Sequence, residues 1–245
     1  MERGGAFVRS LRLERDKVET FDKYPFSIPA IRTLDELPID PHVTFFVGEN
    51  GAGKSTLVEA IAVVLRFNAE GGTINYNFAT RRSESDLHKV LRVARGARRP
   101  RDGFFLRAES YFNVATKAEE IDAESSGPPS IGGAAHEMSH GESFLALANN
   151  RFGDNGLYIL DEPEAALSPQ RQLSLLAIMH RLVNAGSQLI IATHSPILMA
   201  YPNALIYHLT SDGISKIDYE ETEHFRITRD FLANRERFFK HLFRD

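Results

Sequence analysis

The 245-residue chain has no cysteine and no tryptophan. Without cysteine it can form no disulfide, no thiolate metal site and no thiol nucleophile, which fits a reducing cytosol. Long apolar runs are missing as well. The two longest, Ala60–Leu65 and Leu189–Ala200, are short or carry His194 and Pro196, so neither is expected to cross a bilayer. Met1 to Gly5 contain no apolar segment of a secretory signal. These absences predict a cytoplasmic protein without direct membrane insertion. A large excess of either charge is also lacking. The formal net charge of −4 argues against indiscriminate binding to nucleic acid or anionic lipid but permits a local basic patch. No internal repeat or sustained heptad is visible. The remaining composition, 42% hydrophobic and 25% charged, is that of an ordinary globular chain able to bury a sizeable core.

One stretch organises the rest. Val43 to Val47 is an apolar run without alternation, the pattern of a buried strand. It ends in Gly48-Glu49-Asn50-Gly51-Ala52-Gly53-Lys54-Ser55-Thr56, and Leu57, Ile61, Val64 and Leu65 continue at helical spacing. Glycines let such a loop turn tightly and present successive N–H groups to a phosphate chain, and the helix N-terminus adds partial positive charge. Lys54 is expected to reach the β- and γ-phosphates, and the Ser55 hydroxyl to bind Mg²⁺. Nucleotide binding follows, with Gly48, Asn50, Gly51, Ala52, Gly53, Lys54, Ser55 and Thr56 as its candidates.

Around this centre the chain reads as strands and helices in alternation. Phe7 to Leu13 alternates apolar and charged residues, a half-buried strand. Tyr24 and Phe26 are candidates for stacking on an adenine ring, packing on the sheet being the commoner fate of such residues. Gly71 to Phe78 reads as a turn and strand, and Gly103 to Glu109 as a buried strand. Residues 81–107 are strongly basic, with nine Lys or Arg against Glu84, Asp86 and Asp102. They suggest a surface for nucleic acid or an acidic protein effector, or simply a solvated helix and turn. Leu87, Val90, Leu91 and Val93 give part of this stretch a helical apolar face. Asp122 to Glu137 is rich in Ser, Gly, Pro and Ala and reads as a surface loop. The run Thr228 to Phe243 predicts an amphipathic helix or helix pair whose aromatics cover the sheet edge or bind a partner.

Three further motifs follow. Ser139-His140-Gly141-Glu142 opens a helix and offers a second anion-binding terminus. Gly156 to Asp161 is an apolar strand ending in paired acids. Asp161 is placed to hold Mg²⁺ opposite Ser55, and Glu162 to orient or deprotonate a water aimed at the γ-phosphate. Gln188 to Ala192 is a third buried strand, followed by His194, where open α/β sheets place their ligands.

Taken in order, Gly48–Thr56, Ser139–Glu142, Asp161-Glu162, Ala165–Ser168 and His194 resemble the motif series of ABC-type ATPases. They match Walker A, signature, Walker B with its catalytic glutamate, D-loop and switch histidine. The signature reads Met-Ser-His-Gly-Glu, and the switch Thr-His-Ser-Pro. These forms resemble the soluble SMC, RecF and OLD-like branch, above all its small stand-alone "predicted AAA family ATPase" members. The interval of about 85 residues between Lys54 and Ser139 is too short for a long coiled coil. No glutamine stands at the Q-loop; Glu109 is the candidate replacement.

The resemblance implies an α/β P-loop fold with a mostly parallel sheet flanked by helices and an N-terminal antiparallel part. It implies one domain over 1–245, with a core of 1–80, 103–120 and 155–245 and a helical signature subdomain near 81–102 and 121–154. It also implies an ATPase using ATP and Mg²⁺, with Lys54, Glu162 and His194 catalytic. Ser139, Gly141 and Glu142 would complete the site of a second copy in a head-to-tail, ATP-dependent homodimer. Such a cycle would act as a switch on nucleic acid or a protein. The alternatives are a nucleotide-binding subunit of a membrane transporter and a nucleotide-sensing partner of a toxin or nuclease effector.

Overall fold

A computed structural model describes residues 5–68, 72–73, 85–107 and 140–243. Among these, the strands are β1 (Val8–Leu13), β2 (Glu36–Pro38), β3 (Val43–Gly48), β4 (Gly72–Thr73), β5 (Leu91–Arg95), β6 (Asp102–Arg107), β7 (Gly156–Asp161), β8 (Gln188–Ala192), β9 (Leu205–Thr210) and β10 (Gly213–Lys216). The helices are α1 (Pro29–Arg32), α2 (Lys54–Val64), α3 (Leu87–Val90), α4 (His140–Arg151), α5 (Pro169–Asn184), α6 (Pro196–Met199), α7 (Glu223–Ala233) and α8 (Arg235–Leu242).

The main sheet has the order β10-β9-β3-β8-β7-β6-β4. Its five inner strands are parallel, and β10 and β4 close the two edges antiparallel. Both faces are covered, so β3, β7 and β8 are buried at every position, which is why their sequences run apolar without alternation. One face packs on α2 and a small antiparallel sheet, β2-β1-β5. The other packs on α4 and α5 through Phe144, Leu147, Leu175, Met179 and Leu182.

Two readings change. Residues 91–95, assigned from the sequence to a helical subdomain, form β5 against β1 in antiparallel register. Only Leu87–Val90 of the anticipated helix is helical, because alternate residues from Leu91 onward find a strand partner instead. The C-terminal run is indeed two amphipathic helices, but neither buries a residue against the sheet. Their aromatics meet one another: Phe231 lies edge-on to Phe238 and Phe239, and Phe239 stacks on Phe243. Of the strand read over 71–78, only Gly72–Thr73 is described. Glu109 and the loop 122–137 lie outside the described residues.

Candidate functional site

Parallel register brings the motif residues to one level of the sheet. Arg107 lies opposite Asp161, Asp161 opposite Ala192, and Ala192 opposite Phe46, so β6, β7, β8 and β3 all deliver their C-terminal ends to the same crevice. Gly48 ends β3 with φ +146, and a Cβ there would sit 2.3 Å from the Leu209 carbonyl oxygen of β9. Only glycine leaves the chain room to turn out of the sheet. Gly53, at φ +97, caps α2 without any side-chain acceptor. The first N–H groups of α2 therefore face the loop with no intrahelical partner, as an anion would require.

Lys54 is buried, and its ammonium donates to the Gly48 and Glu49 carbonyls at 3.0 and 2.9 Å. Burial pulls its pKa down, and Glu162, Asp161 and Glu164 oppose that shift. A cation held inside the loop by its own carbonyls is placed where a phosphate chain would lie. Asn50 and Gly51 are exposed on the crest of the loop, and Ala52 N–H bonds the Glu49 carbonyl at 3.2 Å. Tyr24 is 65% exposed with its hydroxyl 3.3 Å from the Thr56 hydroxyl, whereas Phe26 packs on the core against Phe21. Of the two aromatics, Tyr24 is the one available to stack on a purine.

The Ser55 hydroxyl donates to Asp161 Oδ1 at 2.9 Å. Asp161 Oδ2 faces Arg107 Nε at 3.4 Å, and Arg107 Nη1 bonds Glu59 Oε2 at 2.7 Å. Glu59 Oε1 accepts from Ser85 N–H. Glu59, buried mid-helix in α2, thus belongs to a network that steadies Asp161. Ser55 and Asp161 supply two hard oxygen donors in contact, a set that fits Mg²⁺ completing its shell with water and phosphate oxygens. Among the described residues no group of three or more His, Cys, Asp or Glu could hold a metal unaided.

Glu162 follows at φ 50, ψ 50, a left-handed conformation unusual for glutamate, held by its N–H bond to the Ala192 carbonyl at 2.9 Å. Such backbone conformations recur at functional residues, where surrounding contacts sustain them. Its Oε1 lies 3.5 Å from His194 Nε2, a buried nitrogen without a hydrogen bond. Glu164, not singled out in the sequence, clamps the switch segment: Oε2 accepts from Thr193 Oγ1 at 2.7 Å and Oε1 from His194 N–H. Gln172 accepts from Ser195 Oγ, which itself caps α6.

Ser139 lies outside the described residues. Glu142 is exposed and pairs with Arg171 at 2.8 Å. Gly141 is buried in its own chain, where a Cβ would come within 2.8 Å of both the Ala166 carbonyl oxygen and Arg171 Nη1. In this structure Gly141 therefore packs closely against Ala166 and Arg171 of its own chain. The basic stretch is likewise partly neutralised. Arg92 pairs with Glu14 at 2.6 Å, Lys89 with Asp86 at 2.5 Å, and Arg107 belongs to the Glu59 network. Arg66, Arg95, Arg98 and Arg99 line a cleft of about 600 Å³, and among the described residues that line it there is no carboxylate. Arg81, Arg82 and Glu84 lie outside the described residues.

A family model described as "ABC transporter" matches residues 40–165, and one described as "AAA domain, putative AbiEii toxin, Type IV TA system" matches residues 134–200. The ribose import ATP-binding protein RbsA of Roseobacter denitrificans is 27% identical over 72% of this chain and 38% of its own length. The energy-coupling factor transporter ATP-binding protein EcfA2 of Methanospirillum hungatei is 25% identical over 73% of this chain and 48% of its own. The chain thus spans less than half the length of these curated relatives. The SMC head domain from Thermotoga maritima superposes with a TM-score of 0.49 at 14% identity, over 86% of this chain and 99% of that one.

Proposed function

From the premise that the chain belongs to the ABC transporter family, we propose that it binds ATP with Mg²⁺ on the Gly48–Thr56 loop and hydrolyses it. The observation that carries this reading is the convergence of Lys54, Ser55, Asp161, Glu162 and the unpartnered His194 Nε2 at one end of the sheet. Lys54 and the α2 N-terminus would hold the phosphates, and Ser55 and Asp161 would hold the cation. Bound there, Mg²⁺ would supply positive charge to offset the negative charge of the phosphates during hydrolysis. Glu162 would take a proton from the attacking water, and His194 Nε2–H would bond a γ-phosphate oxygen.

For the purpose of the cycle, the names of the relatives favour an ATP-binding subunit that serves a membrane transporter. No helix among the described residues is long and apolar enough to cross a membrane, so the membrane part would belong to a partner. A specific observation keeps the soluble-switch reading as the second: the AAA-domain family model matches the stretch holding Ser139–Glu142, Asp161-Glu162 and His194. In either case two copies would sandwich ATP head-to-tail, with Ser139 and a repositioned Gly141 on the γ-phosphate. The proposed subdomain boundaries at 81–102 and 121–154 follow this reading only outside β5.

Purified chain is expected to release phosphate from ATP in a saturable, Mg²⁺-dependent reaction, and ATP-loaded protein to co-purify with a membrane protein from source cells. Absence of phosphate release would overturn the ATPase reading. Recovery of a soluble effector or nucleic acid instead would replace the transporter reading by the switch. Tyr24→Ala is expected to weaken ATP binding by about fivefold, the ~1 kcal/mol of one exposed ring contact, with unchanged melting temperature. Titration with a fluorescent ATP analogue checks this, and an unchanged affinity would remove Tyr24 from the adenine site.

A further inference from the structure

We propose that His224, in the first turn of α7, is a positioning residue that holds the His194 imidazole in its Nε2–H tautomer. The inference deepens the ATPase reading above and rests on it for its consequence, though not for its geometry. His194 Nδ1 and His224 Nε2 are 3.0 Å apart, with ring centroids at 5.2 Å. Across such a contact one nitrogen donates and the other accepts. The other face of His194 decides which. Its Nε2 is buried, lies 3.5 Å from the Glu162 Oε1 acceptor and has no hydrogen bond. A proton on Nε2 meets that carboxylate favourably, whereas a lone pair would oppose it. Nδ1 is therefore the acceptor, and His224 Nε2–H the donor. In this form His194 presents an N–H where the terminal phosphate would lie. In the other tautomer it would present a lone pair to an anion.

His224 is held firmly enough for the task. The Thr222 hydroxyl caps α7 by accepting from Phe225 N–H, and donates to the Tyr219 carbonyl at 2.7 Å. Phe225 packs on Tyr219 at 4.5 Å, and the Tyr219 hydroxyl donates to the Pro196 carbonyl at 2.9 Å, two residues beyond His194. The contacts close a ring from His194 through Pro196, Tyr219 and Phe225 back to His224, so the two imidazoles are registered by backbone on both sides. Burial holds both rings below their ordinary pKa. Lys54 presses on both rings in the same direction and His194 presses likewise on His224, while Glu162 and Glu164 oppose the shift at His194 and Glu223 opposes it at His224; His208 adds to the depression at His224. Both rings are thus neutral near pH 7, as a single donor–acceptor contact requires. Protonating His194 would place two N–H groups against each other.

The test uses the whole chain with ¹⁵N-labelled histidine, in the wild type, His224→Phe and His224→Gln. Without nucleotide, wild-type His194 is expected to show a protonated Nε2 and a bare Nδ1. His224→Phe should mix the tautomers, and His224→Gln, which keeps an N–H donor, should restore the wild-type pattern. A purely structural role for His224 would not move this signature, and matching melting temperatures would exclude misfolding of His224→Phe. In phosphate-release assays His224→Phe should lower kcat about tenfold with KM for ATP within twofold, and His224→Gln should recover most of the loss. The acid limb of the profile should shift to higher pH in His224→Phe, since the donor that favours neutral His194 is gone. A wild-type His194 protonated on Nδ1, or a tautomer indifferent to His224→Phe, would overturn the proposal. Wild-type protein inert toward ATP but showing the expected tautomers would sustain the positioning role and overturn the ATPase reading alone.

Discussion

Glu162→Gln should lower the rate of ATP hydrolysis by roughly 10²–10³-fold while leaving ATP affinity within a few-fold, the range general-base removal commonly gives. The substitution keeps the shape of the side chain and its backbone bond to the Ala192 carbonyl, so the strained φ of 50 at this position should survive. What is lost is a carboxylate able to take a proton at the edge of the crevice, 3.5 Å from His194 Nε2. On the proposed reading binding would depend instead on Lys54, the α2 N-terminus and Ser55, none of which hydrogen-bonds Glu162 in the structure. ATP should therefore accumulate unhydrolysed on the variant, and size exclusion with ATP and Mg²⁺ should show a species of twice the monomer mass. Hydrolysis within threefold of wild type would remove Glu162 from the chemistry. A persistent monomer with ATP bound would remove the second copy from the mechanism and leave Gly141 in the buried place it holds against Ala166 and Arg171.

How much of this was legible without coordinates depends on whether a residue's partner is local. The strands β3, β7 and β8 announce themselves because burial on both faces leaves apolar runs, and the residues that follow them fall at strand C-termini by topology alone. The loop from Gly48 to Thr56 is a local shape with a local spacing, and it lies where that spacing predicts. Residues 87–95 read as helical because Leu87, Val90 and Leu91 satisfy helical spacing, although Leu91 and Val93 also fit the alternation of a strand. The presence of β1 alongside decides for the strand from Leu91 onward, and no pattern inside the segment contains that fact. Glu59 looked like an ordinary helix acid, since its partner Arg107 is 48 residues away. His224 sits among Glu220, Glu221 and Glu223 and reads as surface; only the fold sets it on His194. The aromatics of α7 and α8 satisfied an amphipathic pattern, yet Phe231 meets Phe238 and Phe239 stacks on Phe243, while Ile227, Leu232, Leu242 and Phe243 stay exposed.

Gln188→Leu should destabilise the chain by about 4 kcal/mol, although leucine has nearly the same volume and every neighbour along β8 is apolar. In the sequence Gln188 is merely the polar start of a strand. In the fold its side chain is fully buried and each of its hydrogen bonds goes to backbone: Oε1 accepts from Phe7 and Val8 N–H at 3.0 and 2.9 Å, and Nε2 donates to the Val8 and Asp40 carbonyls at 2.8 Å each. One amide thereby fastens β1, and with it the small sheet, to the main sheet. Leucine would leave those backbone groups buried without this partner, at about 1–3 kcal/mol apiece before relaxation, and the gain from burying extra apolar surface offsets only part of that. Urea unfolding should show a lower midpoint with little change in slope, and hydrogen exchange should accelerate first at Phe7 and Val8. His194 lies at the far end of the same stretch, so phosphate release by the folded fraction should stay within about threefold of wild type. A loss below about 1 kcal/mol would mean that the small sheet is held by its apolar contacts through Leu11, Leu13 and Leu37 alone, and that the amide fixes register without carrying stability.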